Sequence, residues 1–201
     1  MFANDTADHA RLTARRKAGY ERKQAGATRE KGLLIVFTGL GKGKTTAALG
    51  MALRAIGHGM RVGIVQFIKS AQDSAERIAL SHFENVDFQT LGEGFTWQTQ
   101  NREQDIAAAG RAWLEVERMI NDPRYSLVIL DELSPVLHYG YLDLAQVLDA
   151  FRQRRPDLHL VVTGRHAPPT LVELADLVSD IRAVKHPYRE QGVKAQPGIE
   201  F

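Results

Sequence analysis

The chain has 201 residues, 44% of them hydrophobic and 25% charged, with a formal net charge of +2 and no cysteine. That length suits one domain with a substantial core, and the missing thiols exclude disulfides and Cys-based zinc or iron–sulfur centres. No apolar run is of membrane-spanning length, and the N-terminus MFANDTADHARLTARRK lacks the apolar centre of a signal peptide. A bacterial-type cytoplasm is therefore the expected compartment, with no membrane partner.

The charge is unevenly spread. Residues 1–31 hold eight Lys and Arg against four Asp and Glu, whereas the remaining 18 basic and 20 acidic residues nearly balance. The leading segment, helix-compatible over about residues 10–25 but without a clear apolar face, reads as a flap over a polyanionic ligand, a nucleic-acid-binding arm or a solvated terminus.

Leu33 to Thr38 is a β-branched, apolar run that predicts a buried strand. Gly39-Leu40-Gly41-Lys42-Gly43 follows as a turn, then Lys44-Thr45-Thr46 and the helix-forming AALGMALRAI, closing at Gly57-His58-Gly59. Strand, glycine turn, Lys-Thr and helix is the layout of a phosphate-binding loop, whose backbone N–H groups and helix N-terminus face an anion. Lys44 brings a point charge to the phosphates, and the Thr45 hydroxyl is placed to ligate Mg²⁺. The usual pattern wants glycine at position 38, where this chain has Thr38.

Arg61 to Phe67 predicts a second buried strand, so strand, helix and strand form a parallel unit with a right-handed crossover. A short helix around Ala75–His82 and a strand over Val86–Leu91 follow. Gly94-Phe95-Thr96-Trp97 then places two aromatics on a glycine-flanked loop, either anchoring it in the core or forming a flat wall for a planar ligand. From Arg102 to Asn121, Ile106, Ala109, Trp113, Val116 and Ile120 recur at helical spacing.

Leu127–Leu130 predicts the most hydrophobic strand, ending in Asp131-Glu132, a Walker-B-like pair that can hold Mg²⁺ opposite Thr45. Spacing alone leaves open which carboxylate touches the metal. A helix over Asp143–Phe151, a strand over Leu158–Thr163 ending in Gly164-Arg165-His166, a helix from Pro168 to about Leu177 and a strand over Val178–Lys185 complete the order. The tail HPYREQGVKAQPGIEF reads as irregular. Arg54 and Arg165 are candidate phosphate clamps, and no histidine sits at metal-ligand spacing. The alternation predicts an α/β, doubly wound, mostly parallel sheet in three α/β/α layers, with the unusual loops along one edge.

Several stretches together resemble the P-loop type of ATP:corrinoid adenosyltransferase: VFTGLGKGKTTAALGMALRAIGHG, VGIVQFIK, GFTWQTQNREQD, VILDELS, VVTGR and VKHPY…GVKAQPGIEF. The likeness runs from about residue 30 to the C-terminus and includes Thr38. It implies a RecA-like P-loop domain over 30–201, preceded by a basic flap over 1–29. The implied reaction transfers the 5′-deoxyadenosyl group of ATP to Co(I) of a reduced corrinoid and releases triphosphate.

By the same resemblance, Gly39, Gly41, Lys42, Gly43, Lys44, Thr45 and Thr46 hold the triphosphate, with Arg54 and Arg165 as phosphate contacts. Lys44, Glu132 and Arg165 serve catalysis, Thr45 and Glu132 hold Mg²⁺ or Mn²⁺ in its place, and Phe95 and Trp97 pack on the corrin. A homodimer and a reductant protein such as reduced flavodoxin are the implied partners. The rival readings are a P-loop kinase or ATPase, in which Asp131-Glu132 activates water or an acceptor hydroxyl, and an ATP-dependent nucleic-acid binder. The near-neutral core argues against the latter, so no nucleic-acid partner is expected.

Overall fold

The computed structural model describes residues 3–68, 74–92 and 101–199. The chain divides into two compact units, Met1–Lys31 and Gly32–Phe201. The first contains one helix, α1 (Ala3–Ala25), exposed over its described side chains. Exposure without an apolar stripe matches its composition of Arg, Lys, Ala and Gln.

In the second unit the elements alternate: β1 (Leu34–Thr38), α2 (Lys44–Gly57), β2 (Arg61–Gln66), α3 (Ala75–Leu80), β3 (Val86–Thr90) and α4 (Arg102–Asn121). They continue with β4 (Tyr125–Asp131), α5 (Leu133–His138), α6 (Leu144–Gln153), β5 (His159–Thr163), α7 (Pro169–Leu174), β6 (Leu177–Asp180) and α8 (Pro187–Gln191). The six strands form one sheet in the order β3-β2-β4-β5-β1-β6, every pair parallel. The predicted three-layer α/β architecture is the one observed.

Period-2 alternation divides the core into two layers. Ile35, Ile64, Ile129 and Val161 face the layer of α2, whose Ala48, Leu49, Ala52 and Ile56 cover them. Leu34, Val36, Val128, Leu130, Leu160 and Val162 face the other, under Trp113, Val116, Met119 and Phe151. Burial of a side chain such as Ile129, fully excluded from solvent, contributes about 1.5–3 kcal/mol.

Several elements differ from expectation. Ile106 does not join the buried face of α4, being 40% exposed; the buried stripe runs through Ala109, Ala112, Trp113, Val116 and Ile120 instead. Helix α5 lies between Glu132 and Asp143, where no element was expected, and it tolerates Pro135 because that residue sits in its first turn, where a missing N–H costs nothing. Helix α7 stops at Leu174 because Asp176 is claimed by β1: its carboxylate accepts from Leu34 N–H at 2.9 Å and its own N–H donates to Leu34 O at 2.8 Å.

Strand β6 ends at Asp180, not Lys185, because β1 ends at its partner Thr38. The chain beyond it turns onto the glycine loop, and the tail gains the short helix α8.

Candidate active site

In a parallel sheet every strand delivers its C-terminal loop to the same edge. The edge here carries Gly39–Gly43 after β1, Asp131-Glu132 after β4 and Gly164-Arg165-His166 after β5. They border a cavity of about 500 Å³, lined by Lys42, Lys44, Thr45, Thr46, Glu132 and Arg165, with Gly41, Gly43, Glu76, Pro187 and Ile199 completing the wall.

The glycines of the loop serve different ends. Gly43 is the N-cap of α2 at φ 104°, a left-handed conformation that glycine adopts without strain, in open space. Gly39 and Gly41 instead lie against the chain leaving β6. A Cβ on Gly41 would stand 2.7 Å from the backbone of Arg182, and one on Gly39 would meet the Asp180 carboxylate. Gly41 N–H donates to Ile181 O at 2.7 Å, so this amide is bound within the protein and not directed at an anion.

Lys44 is 6% exposed, and its Nζ donates to Gly39 O at 2.9 Å and Gly41 O at 2.7 Å. Burial is the largest influence on it and lowers its pKa from the usual 10.5; Glu132 and Asp131 oppose that shift, and Arg165 adds to it. An anion in the cleft would add to these carboxylates in favouring the charged form.

The two carboxylates after β4 have separate tasks. Asp131 is 1% exposed and accepts three hydrogen bonds: from Thr45 Oγ1 at 2.8 Å, Thr163 Oγ1 at 2.7 Å and Gln66 Nε2 at 2.9 Å. Glu132 adopts φ 60°, a left-handed turn rare outside glycine, its N–H donates to Thr163 Oγ1 at 2.9 Å, and it lines the cleft. The geometry thus separates the pair: Asp131 braces the site from within and Glu132 borders the cavity.

Arg54 is not brought to this site. It is exposed in the last turn of α2, ten residues beyond Lys44, a rise of about 15 Å. Phe95 and Trp97 lie outside the described residues.

Gln66, Thr163 and Glu76 were missed from the sequence. The signal for the first two was a polar residue closing an otherwise apolar strand. Register puts Gln66 beside Asp131, and Leu130 beside Val162 brings Thr163 to the same level. Glu76 had no signal, since only the fold carries α3 to the cleft.

A phosphate-binding loop, a buried lysine, a threonine braced by a strand-end aspartate and a cleft at the strands' C-terminal edge define a P-loop nucleotide-binding protein. The model of the family "ATP:corrinoid adenosyltransferase BtuR/CobO/CobP" matches residues 30–201.

The chain is similar to a corrinoid adenosyltransferase of Sinorhizobium sp, 48% identical over 200 residues that cover 98% of this chain and 93% of the relative. It is also similar to one of Pseudomonas aeruginosa, 46% identical over 194 residues covering 96% and 95%. A third, corrinoid adenosyltransferase CobA of Salmonella typhimurium, is 48% identical over 177 residues covering 88% and 89%. The chain belongs to the ATP:corrinoid adenosyltransferase family. Among the described residues, no helix is long and apolar enough to cross a membrane.

Proposed function

We propose that the chain transfers the 5′-deoxyadenosyl group of ATP to the Co(I) centre of a reduced corrinoid, in adenosylcobalamin biosynthesis or salvage. The acceptor is cobalamin, cobinamide or cobyrinic acid a,c-diamide. The observation that carries this reading is the cleft in which Lys44, Thr45, Thr46, Arg165 and Glu132 converge, in a chain of this family.

The Co(I) electron pair forms the cobalt–carbon bond at C5′ as the C5′–O bond breaks and the triphosphate leaves with its own pair. Co(I) is the nucleophile, so no side chain need act as general base. The protein's tasks are alignment and charge neutralisation. Lys44 and Arg165 would meet the negative charge that grows on the departing oxygen, and Thr46 would hold a phosphate at the start of α2. Thr45 Oγ1 and the Glu132 carboxylate are hard oxygen donors of the kind Mg²⁺ takes, with phosphate oxygens and water filling its other positions. Bound there, Mg²⁺ or Mn²⁺ would supply further charge neutralisation.

Phe95 and Trp97 would pack on the corrin and keep a lower axial ligand from cobalt. The basic segment 1–29 would act as a flap over the reacting groups, in a homodimer supplied with electrons by a protein such as reduced flavodoxin. Inhibition by tripolyphosphate tests the mode of binding. Competition against ATP supports this reading, whereas ADP and orthophosphate as products would replace it with a hydrolase or kinase.

A further inference from the structure

Arg165 lies in a turn whose backbone is held at both ends but lacks a buried side chain of its own. Gly164 N–H donates to Phe37 O at 3.1 Å and Ala167 N–H to Thr38 Oγ1 at 3.3 Å, while Arg165 and His166 are both exposed. His166 has φ 57°, a left-handed conformation that a non-glycine residue keeps only where its surroundings impose it. What meets its side chain is a second imidazole: His138, the last residue of α5, stacks on it with ring centroids 4.9 Å apart and planes 28° from parallel.

His138 in turn is fixed from behind. The Tyr139 ring packs edge-on against it at 5.3 Å, and the Arg102 guanidinium donates to Tyr139 O at 3.2 Å and Gly140 O at 3.4 Å. One ring of the stack is therefore anchored, and the other is the immediate neighbour of a cleft arginine.

We propose that His166, clamped by its stack on His138, is a positioning residue that fixes the Gly164–Ala167 turn and so aims Arg165 into the phosphate cleft. The inference rests on the reading of Arg165 as a triphosphate contact. A flexible arginine on an unclamped turn would spread over many placements, and a misplacement of an ångström is enough to weaken a bidentate phosphate contact.

The test is tripolyphosphate affinity, by calorimetry on the full chain, for His138→Ala, His138→Phe and Arg165→Ala, and for His138→Ala combined with Arg165→Ala. His138 is exposed, so its truncation should leave the melting temperature near that of the parent. His138→Ala should weaken binding about 3- to 10-fold, and the loss should vanish in the Arg165→Ala background. His138→Phe, which keeps a ring to stack on, should restore affinity to within about twofold.

Unchanged affinity in His138→Ala while Arg165→Ala binds weakly would overturn the role of the stack alone. An equal loss in both backgrounds, or no rescue by phenylalanine, would overturn it too. Unchanged affinity in Arg165→Ala would remove the underlying reading of Arg165 and this inference with it.

Discussion

Thr45 and Asp131, 86 positions apart in the chain, are joined by a 2.8 Å hydrogen bond from the threonine hydroxyl to Oδ1. It orients the hydroxyl with its proton turned toward the sheet, leaving the oxygen lone pairs for the cleft. Asp131 also accepts from Thr163 and Gln66, so most of its acceptor capacity is spent inside the protein.

Asp131→Ala should therefore act mainly on stability. It strands the buried donors of Thr163 and Gln66 and frees the half-buried Thr45 hydroxyl, and the unfolding free energy should fall by about 3 kcal/mol in urea denaturation. Glu132→Gln should melt close to the parent, yet raise the Mg²⁺ concentration needed for turnover and lower the maximal rate. Equal destabilisation by the two substitutions would contradict this division of roles.

Gly41→Ala should be the more damaging of two loop substitutions, since its methyl would press into the backbone of Arg182. The expected result is loss of stability together with weakened ATP binding, because the loop and the chain beyond β6 would have to part. Gly43→Ala meets open space and bears only the left-handed backbone penalty, about 1–2 kcal/mol. Chemical denaturation and nucleotide titration of both variants check the order.

The buried Lys44 gives triphosphate binding a pH dependence of definite sign. Burial lowers its pKa in the free protein below 10.5, and a bound polyanion, which favours the charged form, raises it again. Binding should therefore take up protons, and affinity should fall as pH rises through the lowered value toward 10.5. Calorimetry in buffers of different ionisation enthalpy measures that uptake. Lys44→Arg, which stays charged throughout, should remove the fall at some cost in affinity.

Deleting residues 1–31 separates the roles open to the basic segment. The remaining unit, Gly32–Phe201, holds the whole sheet and both core layers, so it should stay folded, with a melting temperature within a few degrees of the parent. The flap role expects impaired corrinoid turnover with ATP binding little changed. Lost oligonucleotide binding, steeply salt-dependent in the parent, would instead mark a nucleic-acid arm.

Hydrophobic runs and glycine punctuation made most of the fold legible, because a parallel sheet covered on both faces needs apolar strands alternating with helices. Where the reading fell short, a tertiary contact decided. The lengths of β6 and α7 depend on Thr38 and Asp176 meeting β1 or its partners, contacts between segments far apart in the chain.

The same holds at the site. Lys44 and Thr45 are legible because their task follows from local geometry at a helix start. Asp131 and Glu132 could not be told apart until Thr45, Thr163 and Gln66 were seen to converge on the first. Arg54 does not line the cleft, since nearness in sequence to a loop says little when ten residues of helix intervene.

The most direct measurement is an anaerobic incubation of the protein with Mg·ATP and chemically reduced cob(I)alamin, following the corrinoid absorption spectrum and identifying the phosphate product. Adenosyl transfer requires the cobalt–carbon spectrum to appear with one triphosphate released per corrinoid. An unchanged corrinoid spectrum alongside ADP and orthophosphate would contradict it.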